Sequence, residues 1–227
     1  MNEKMSAYGG KKIINRHKAL WSQKYFHSSF ATGIALLVVS LVANYFANIY
    51  TTNHASNYVS DVILDNIPVF NVDFIFLEGM GIFLVILALL LLRDPKKIPF
   101  ALKSIATFVL IRSVFIMLTH MAVPPVHSYI DPTSTFRYMT AGNDMFFSSH
   151  TGLPFLMALV FWSNKKLRLF FLLTSIVFAI SVLMGHLHYS IDVFAAFFIT
   201  YSIFHIAQRL FPGDYKLVDK DEEFVDR

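Results

Sequence analysis

Six stretches of the chain are apolar over about the 20 residues that a helix needs to cross the hydrocarbon core of a bilayer. Short polar segments separate them, and the sequence contains no internal repeat. The stretches cover residues 28–50, 72–92, 100–122, 144–162, 168–186 and 188–211. This pattern predicts an all-α, polytopic membrane protein, built as a bundle of six transmembrane helices.

The composition agrees with this architecture and excludes several alternatives. Of the 227 residues, 56% are hydrophobic and only 15% are charged, which is typical of a polytopic membrane protein rather than a soluble domain. The absence of cysteine excludes disulfides and thiolate metal sites. Residues 1–26 are polar and basic and lack the apolar core of a cleavable signal peptide. We therefore expect a basic tail at 1–26, a membrane domain at 27–211 and a second tail at 212–227.

The lysines and arginines predict the orientation of the helices. If six helices alternate in direction, all but two of the 19 basic residues lie in the tails and in the loops of one side; the exceptions are Arg112 and Arg137. Basic loops remain in the cytoplasm. The distribution predicts that both termini are cytoplasmic, and it explains the net charge of +4 by topology rather than by nucleic-acid binding.

Ionisable side chains inside the predicted spans gather near the opposite side. At a rise of about 1.5 Å per residue, five of them fall at similar depths: Glu78, Arg112, His150, His188 and Asp192. His188 and Asp192 are four residues apart and share a helix face. Because each intramembrane charge costs about 2.5–3.5 kcal/mol on insertion scales, such a cluster indicates a functional site.

Structural interpretations remain open for several polar residues. Ser148 and Ser149 could be small residues that let helices pack closely. Asp144 could be favoured by the dipole at a helix N-terminus, and Arg112 could simply neutralise Glu78.

Three further residues are assigned to structural roles. We expect His120 and His205 to make hydrogen bonds between helices. Tyr189 is expected in the belt of aromatic side chains at the membrane interface.

The clustered residues suit a two-step displacement. Two histidines, one of them backed by a carboxylate, can supply a nucleophile and a general acid or base. Asp192 would accept a hydrogen bond from one ring nitrogen of His188 and leave the other nitrogen free to attack. Arg112 would hold an anion, and phosphate is the obvious anion at a lipid interface. A phosphohistidine would then divide the reaction into two displacements.

Four segments resemble a known enzyme family. "FFSSHTG" at 146–152 and "HYSIDV" at 188–193 resemble the second and third motifs of the type-2 phosphatidic acid phosphatase superfamily, and most closely its sphingomyelin synthase branch. "LEGMG" at 77–81 and "RSVFIMLTHMAVPP" at 112–125 are similar to further segments of that branch. The resemblance covers roughly residues 70 to 211.

The resemblance implies roles for individual residues. His188 would be the nucleophile, Asp192 its orienting carboxylate, and His150 the proton donor and acceptor. Glu78 and Asp144 would line the site, where they could hold a cationic amine or assist proton transfer. The remaining residues assigned to substrate binding are Arg112, Ser148, Ser149 and His186.

Some positions depart from the family pattern. The superfamily's phosphatases carry an Arg six residues before the last-motif histidine, where this chain has Val182, and no Lys-to-Arg-Pro motif is present. Both differences favour the synthase branch. Ser149 stands where the family usually has Gly, and Leu187 stands where the animal synthases have an acidic residue, so the resemblance bears on the type of reaction more than on the substrate.

The resulting hypothesis is an integral-membrane lipid phosphotransferase. Its partners would be a phospholipid donor and a lipid-alcohol acceptor such as ceramide or diacylglycerol, without a metal, another cofactor or nucleic acid. A lipid phosphatase or phospholipase C-like hydrolase would use the same residues with water as acceptor. We expect a bacterial inner membrane protein with its active site on the extracytoplasmic side.

Two other classes of protein fit the sequence less well than an enzyme does. A proton-coupled transporter would use His–Asp relays, but it predicts charges along a path to both faces. A purely structural scaffold would leave the clustered charges unexplained.

Overall fold

The computed structural model describes residues 13–130 and 145–219. In these ranges the regular structure is helical, with short 3₁₀ turns at Leu64–Asn66 and Pro95–Lys97 and a helical segment at 13–21. The longer helices are α1 (Lys24–His54), α2 (Asp73–Arg93), α3 (Ile98–Leu118), α4 (Ser149–Val160), α5 (Lys165–Met184), α6 (Ser190–Leu210) and α7 (Pro212–Asp219).

Five helices are long and apolar enough to cross a membrane: α1, α2, α3, α5 and α6. The predicted class, an all-helical multi-pass membrane protein, is therefore supported. The predicted fourth span, 144–162, is replaced by the 12-residue α4. At about 1.5 Å per residue, α4 is about 18 Å long and shorter than a ~30 Å hydrocarbon core. Six complete spans are thus not observed in the described residues.

Local backbone geometry explains the late start of α4. Phe146 has a left-handed backbone with φ of 80°, which a helix cannot contain. Ser148 then caps the helix by accepting a hydrogen bond from the N–H of Thr151 at 3.4 Å. The helix therefore begins at Ser149, one residue before His150.

Helix α4 lies at the centre of the bundle, in contact with α3, α5 and α6. Its residues Leu156, Met157 and Ala158 are completely buried. Gly152 permits the close packing, because a Cβ atom there would lie 2.8 Å from both the Phe108 ring and the Thr200 hydroxyl. The short helix is therefore shielded by its neighbours, and His150 lies on an element with little freedom to move.

Helix α1 packs mainly against α3, through a face of small residues. Gly33, Ser40 and Ala47 recur every seven residues and are buried. A Cβ atom at Gly33 would approach the Cβ of Leu102 to 3.1 Å. Small residues of this kind allow membrane helices to approach closely. The opposite face of α1 exposes apolar side chains such as Val38 and Phe46, as expected for contact with lipid.

A buried ion pair closes the end of the bundle that carries the basic loops, called here the basic end. Lys103 of α3 donates to Asp214 of α7 at 2.6 Å and to Ser29 of α1 at 2.7 Å. The Tyr25 hydroxyl donates to the other oxygen of Asp214 at 2.9 Å. Residues 212–219 are thus held against the bundle by Asp214.

We predict that Lys103→Met lowers the free energy of unfolding by about 3–5 kcal/mol, because it leaves a buried carboxylate without its cation. Thermal and denaturant unfolding in detergent would measure this loss. The double variant Lys103→Met/Asp214→Leu should lose less than the single variant. Lys166→Met, at an exposed position, is the matched control. A single variant as stable as this control would contradict the prediction.

Candidate active site

Backbone hydrogen bonds join the loops at the end opposite the basic end, called here the site end. The N–H of Ser148, just before α4, donates to the carbonyl of Asp192 in α6 at 3.1 Å. The N–H of Ser128 donates to the carbonyl of Gly185, just after α5, at 2.7 Å. The first of these bonds fixes the start of α4 against the start of α6, which brings the segments of His150 and His188 together, and the second ties the loop after α3 to the end of α5.

The turn between α5 and α6 is a tight helix stop. The N–H of Leu187 donates to the carbonyl of Val182 at 2.9 Å, and His186 has a left-handed backbone with φ of 52°. Both are features of a Schellman motif, which usually places Gly or Asn at the left-handed position. Gly185 is required for a different reason, since a Cβ atom there would lie 2.3 Å from Val72.

His188 and Asp192 form a buried pair. His188 precedes α6 rather than beginning it, so the predicted start of the sixth helix at 188 is two residues early. The His188 Nδ1 atom lies 3.3 Å from Asp192 Oδ2, and the same oxygen accepts from the N–H of Tyr189 at 3.2 Å. Asp192 is completely buried. Nδ1 of His188 donates a hydrogen bond to this carboxylate. Nε2 of His188 therefore carries the free lone pair.

His150 is held by the second helix. Its Nε2 atom lies 3.0 Å from the carbonyl oxygen of Phe76, and its ring stacks on the Phe76 ring at 4.0 Å between centroids. Because a carbonyl only accepts, Nε2 carries the proton and Nδ1 has the lone pair. Nδ1 is buried and has no hydrogen-bond partner among the described residues. The ring is close enough to His188 and Arg112 to interact with both electrostatically.

Arg112 places a positive charge near His150. It is 3% exposed, and its Nε–H donates to the carbonyl of Phe147 at 3.0 Å. The side chain thus links α3 to the segment that leads into α4. The structure brings together Arg112, His150, His188 and Asp192.

The other predicted site residues are placed less closely or differently. Ser148 uses its hydroxyl as the α4 cap, a structural role different from the helix packing that the sequence suggested. Ser149 is the partly buried first residue of α4, and Glu78 is partly buried on α2, two residues beyond Phe76. His186 lines a separate pocket at the site end. Asp144 and Arg137 lie outside the described residues.

Two structural expectations are wrong. Tyr189 is 1% exposed and its hydroxyl donates to the carbonyl of Ala122 at 2.9 Å, so it ties loops together instead of joining an interfacial belt. His205 pairs with Gln208 on its own helix at 2.7 Å, because the two side chains are three residues apart and share a face. His120 is exposed, and its ring lies 5.8 Å from that of His54.

Asp61 is a residue that the sequence reasoning missed. One of its oxygens accepts from the N–H groups of Ile63 and Leu64 at 2.9 and 3.2 Å. The other accepts from the N–H of Ser190, the first residue of α6, at 2.7 Å. Burial acts to raise the pKa of Asp61, but these hydrogen bonds outweigh it and lower the pKa. The position of Asp61, three residues before Leu64, is typical of a capping aspartate. Its bond to the N–H of Ser190 could not be predicted, because no pattern in the neighbouring sequence indicates it.

Comparison with known proteins supports a family for the site segment. The family model described as PAP2 superfamily C-terminal matches residues 142–209. This match contains His150, His188 and Asp192. It supports the type-2 phosphatidic acid phosphatase superfamily and, with it, an enzyme with lipid phosphatase or phosphotransferase chemistry. Searches of the curated proteins and of the solved structures found no match.

We predict that Asp61 makes the stability of the protein pH-dependent. Because its folded pKa is lowered, its contribution is complete well above the ordinary pKa of about 3.9 and is lost as the pH falls through the folded value. Asp61→Asn should therefore lower the melting temperature most near neutral pH, and the gap to the wild type should narrow as the pH falls below the ordinary pKa. Melting in detergent across this range would measure it. A gap independent of pH would contradict the prediction.

Proposed function

We propose that this protein is a lipid phosphotransferase that moves a phosphoryl head group from a glycerophospholipid to a lipid alcohol such as ceramide, as in sphingomyelin synthase-like enzymes. The observation that carries the proposal is the buried His188–Asp192 pair. The ring of His188 interacts electrostatically with His150, whose Nδ1 has no hydrogen-bond partner among the described residues. The family match supports the wider chemistry, and the sphingolipid acceptor is our inference.

In the first step, the lone pair on His188 Nε2 attacks the phosphorus atom of the donor. The bond from phosphorus to the diacylglycerol oxygen breaks, and that oxygen receives a proton from His150 Nδ1, which takes up this proton from water when the anionic donor binds. Asp192 stabilises the positive charge that develops on the ring of His188. Arg112 stabilises the negative charge on the phosphoryl oxygens.

In the second step, neutral His150 takes the proton of the acceptor hydroxyl through Nδ1. The acceptor oxygen attacks phosphorus, the bond from phosphorus to His188 Nε2 breaks, and the enzyme returns to its starting protonation state. With water as acceptor, the same step makes the protein a lipid phosphatase or phospholipase C-like hydrolase. We place this chemistry at the extracytoplasmic face of a bacterial inner membrane, because the site lies at the end opposite the basic loops.

The activity is tested by incubating the purified protein in detergent with fluorescent ceramide and mixed phospholipids, followed by mass analysis of lipid and soluble products. A phosphorylated sphingolipid together with diacylglycerol is the expected result. Release of phosphate or of a free phosphoryl head group, with ceramide unchanged, would replace the transferase by the hydrolase. No turnover of any phospholipid would contradict both.

We predict that His188→Ala and Asp192→Ala abolish turnover, and that His150→Gln lowers it by about 10²–10⁴-fold, the usual contribution of general acid–base catalysis. Rates are measured with the same lipids, and folding is checked by melting temperature. His127→Ala, an exposed histidine of a site-end loop, is the control and should keep full activity. Turnover retained by folded His188→Ala would exclude the phosphohistidine.

We further predict that Arg112→Lys raises the KM for the phospholipid donor by about tenfold, because lysine keeps the charge but lacks the planar, multidentate donors of arginine. Arg93→Lys, at an exposed position of the basic end, is the matched control. Initial rates at varied donor concentration give the two constants. If Arg112→Lys changes only the yield or melting temperature of the protein, Arg112 has a structural role alone.

A further inference from the structure

Tyr189, the residue after His188, is buried although it lies among loops at the site end. It is 1% exposed, whereas residues 55–60 of the loop after α1 are all exposed. Its ring packs with Leu64 and Met145 in a small apolar cluster. The proposed reaction gives this side chain no part, so its burial beside the nucleophile asks for a separate explanation.

The hydroxyl of Tyr189 is bonded to two loops that follow different helices. It accepts a hydrogen bond from the N–H of Val59, in the loop after α1, at 3.3 Å. It donates to the carbonyl of Ala122, in the loop after α3, at 2.9 Å. Both partners are backbone groups, so these bonds fix the position of the chain rather than take part in chemistry. Residues 55–61 and 119–122 are called here the loop pair.

The loop pair is also held together by its own hydrogen bonds. The N–H and the hydroxyl of Ser56 both donate to the carbonyl of His120, at 2.7 and 2.6 Å. The N–H of Ala122 donates to the carbonyl of Asn57 at 3.2 Å. Tyr189 is therefore attached to a unit with internal cross-links and not to two independent loops.

The contact between His188 and Asp192 depends on where the turn before α6 is held. His188 Nδ1 lies 3.3 Å from Asp192 Oδ2, at the long end of the usual range of about 2.7–3.2 Å for N–H···O bonds. His188 also precedes α6, so the helix does not fix its backbone. The N–H of Tyr189 donates to the same carboxylate oxygen at 3.2 Å. A small displacement of the turn would therefore break the contact with the histidine.

We propose that Tyr189 is a positioning residue for His188: its hydroxyl, held by the loop pair, keeps the turn in the place where His188 Nδ1 meets Asp192. The use of this positioning in phosphoryl transfer rests on the proposed function, whereas the orientation of the ring does not. Without the hydroxyl the turn is released, and the proton of the neutral ring exchanges between Nδ1 and Nε2. The Nε2 lone pair, which attacks phosphorus in the proposed reaction, is then present for only part of the time.

The test compares the wild type with Tyr189→Phe, which loses the hydroxyl and keeps the ring. ¹⁵N NMR of labelled histidine rings, in detergent at about pH 9 where an ordinary histidine is neutral, distinguishes protonated from unprotonated ring nitrogens. His188→Gln identifies the His188 signals by their loss. We expect one tautomer, protonated on Nδ1, in the wild type and a mixture of tautomers in the variant. A mixture in the wild type, or an unchanged tautomer in folded Tyr189→Phe, would overturn the proposal.

Two controls separate this role from a general loosening of the loops. Ser56→Ala removes a bond inside the loop pair and leaves the hydroxyl in place, and Tyr201→Phe removes a hydroxyl from an exposed side chain of α6. Both should keep the single tautomer. If Ser56→Ala mixes the tautomers as Tyr189→Phe does, the loops rather than the hydroxyl position His188, and the proposal is overturned. If Tyr189→Phe does not fold, Val59→Pro, which removes the N–H donor to the hydroxyl, replaces it under the same criteria.

Turnover keeps this proposal apart from the proposed function. In an active enzyme, Tyr189→Phe should lower kcat by about tenfold and leave the KM for the donor nearly unchanged, because the nucleophile is misplaced while Arg112 is not. An unchanged kcat would overturn the positioning role. A protein whose tautomer responds as expected but that turns over no lipid would retain the positioning of His188 and lose the proposed function. One that transfers head groups with an unchanged tautomer in Tyr189→Phe would do the reverse.

Discussion

The site depends on a single carboxylate with no access to water. Asp192 is completely buried, so its charge depends on a few neighbouring donors, and its Oδ1 has no hydrogen-bond partner among the described residues. Its Oδ2 accepts from the Tyr189 N–H and from His188, while its backbone carbonyl accepts from the N–H of Ser148. The same residue therefore caps α6, sets the tautomer of His188 and anchors the start of α4. The local structure of the site end and the proposed chemistry therefore both depend on the buried carboxylate of Asp192.

The short central helix follows from that arrangement. Because α4 begins only at Ser149 and is enclosed by α3, α5 and α6, its first turn is buried at the site end instead of extending to the membrane surface. His150 and His188 are both buried there, in surroundings where electrostatic interactions are strong. Phe76 fixes the His150 ring by stacking and by its carbonyl. If α4 were a full-length span with an exposed first turn, His150 would be exposed to water.

One tight turn gives two nearby histidines different surroundings. Between Gly185 and Tyr189 the chain places His188 beside Asp192 of α6 and His186 among the residues that line a separate pocket next to Asp61. The left-handed backbone of His186 completes the helix stop after α5. His188 therefore joins Arg112, His150 and Asp192, whereas His186 does not.

The sequence by itself determined the features that depend on local spacing: apolar helices long enough for a membrane, the four-residue step from His188 to Asp192, and a polar layer near one end. Periodicity and helix geometry are properties of neighbouring residues, so they can be read along the chain. Only the tertiary structure decided the length of α4, the capping role of Asp61 at a partner 129 residues away and the separate pocket of His186. These depend on how helices pack and which loops meet, and no local pattern encodes that.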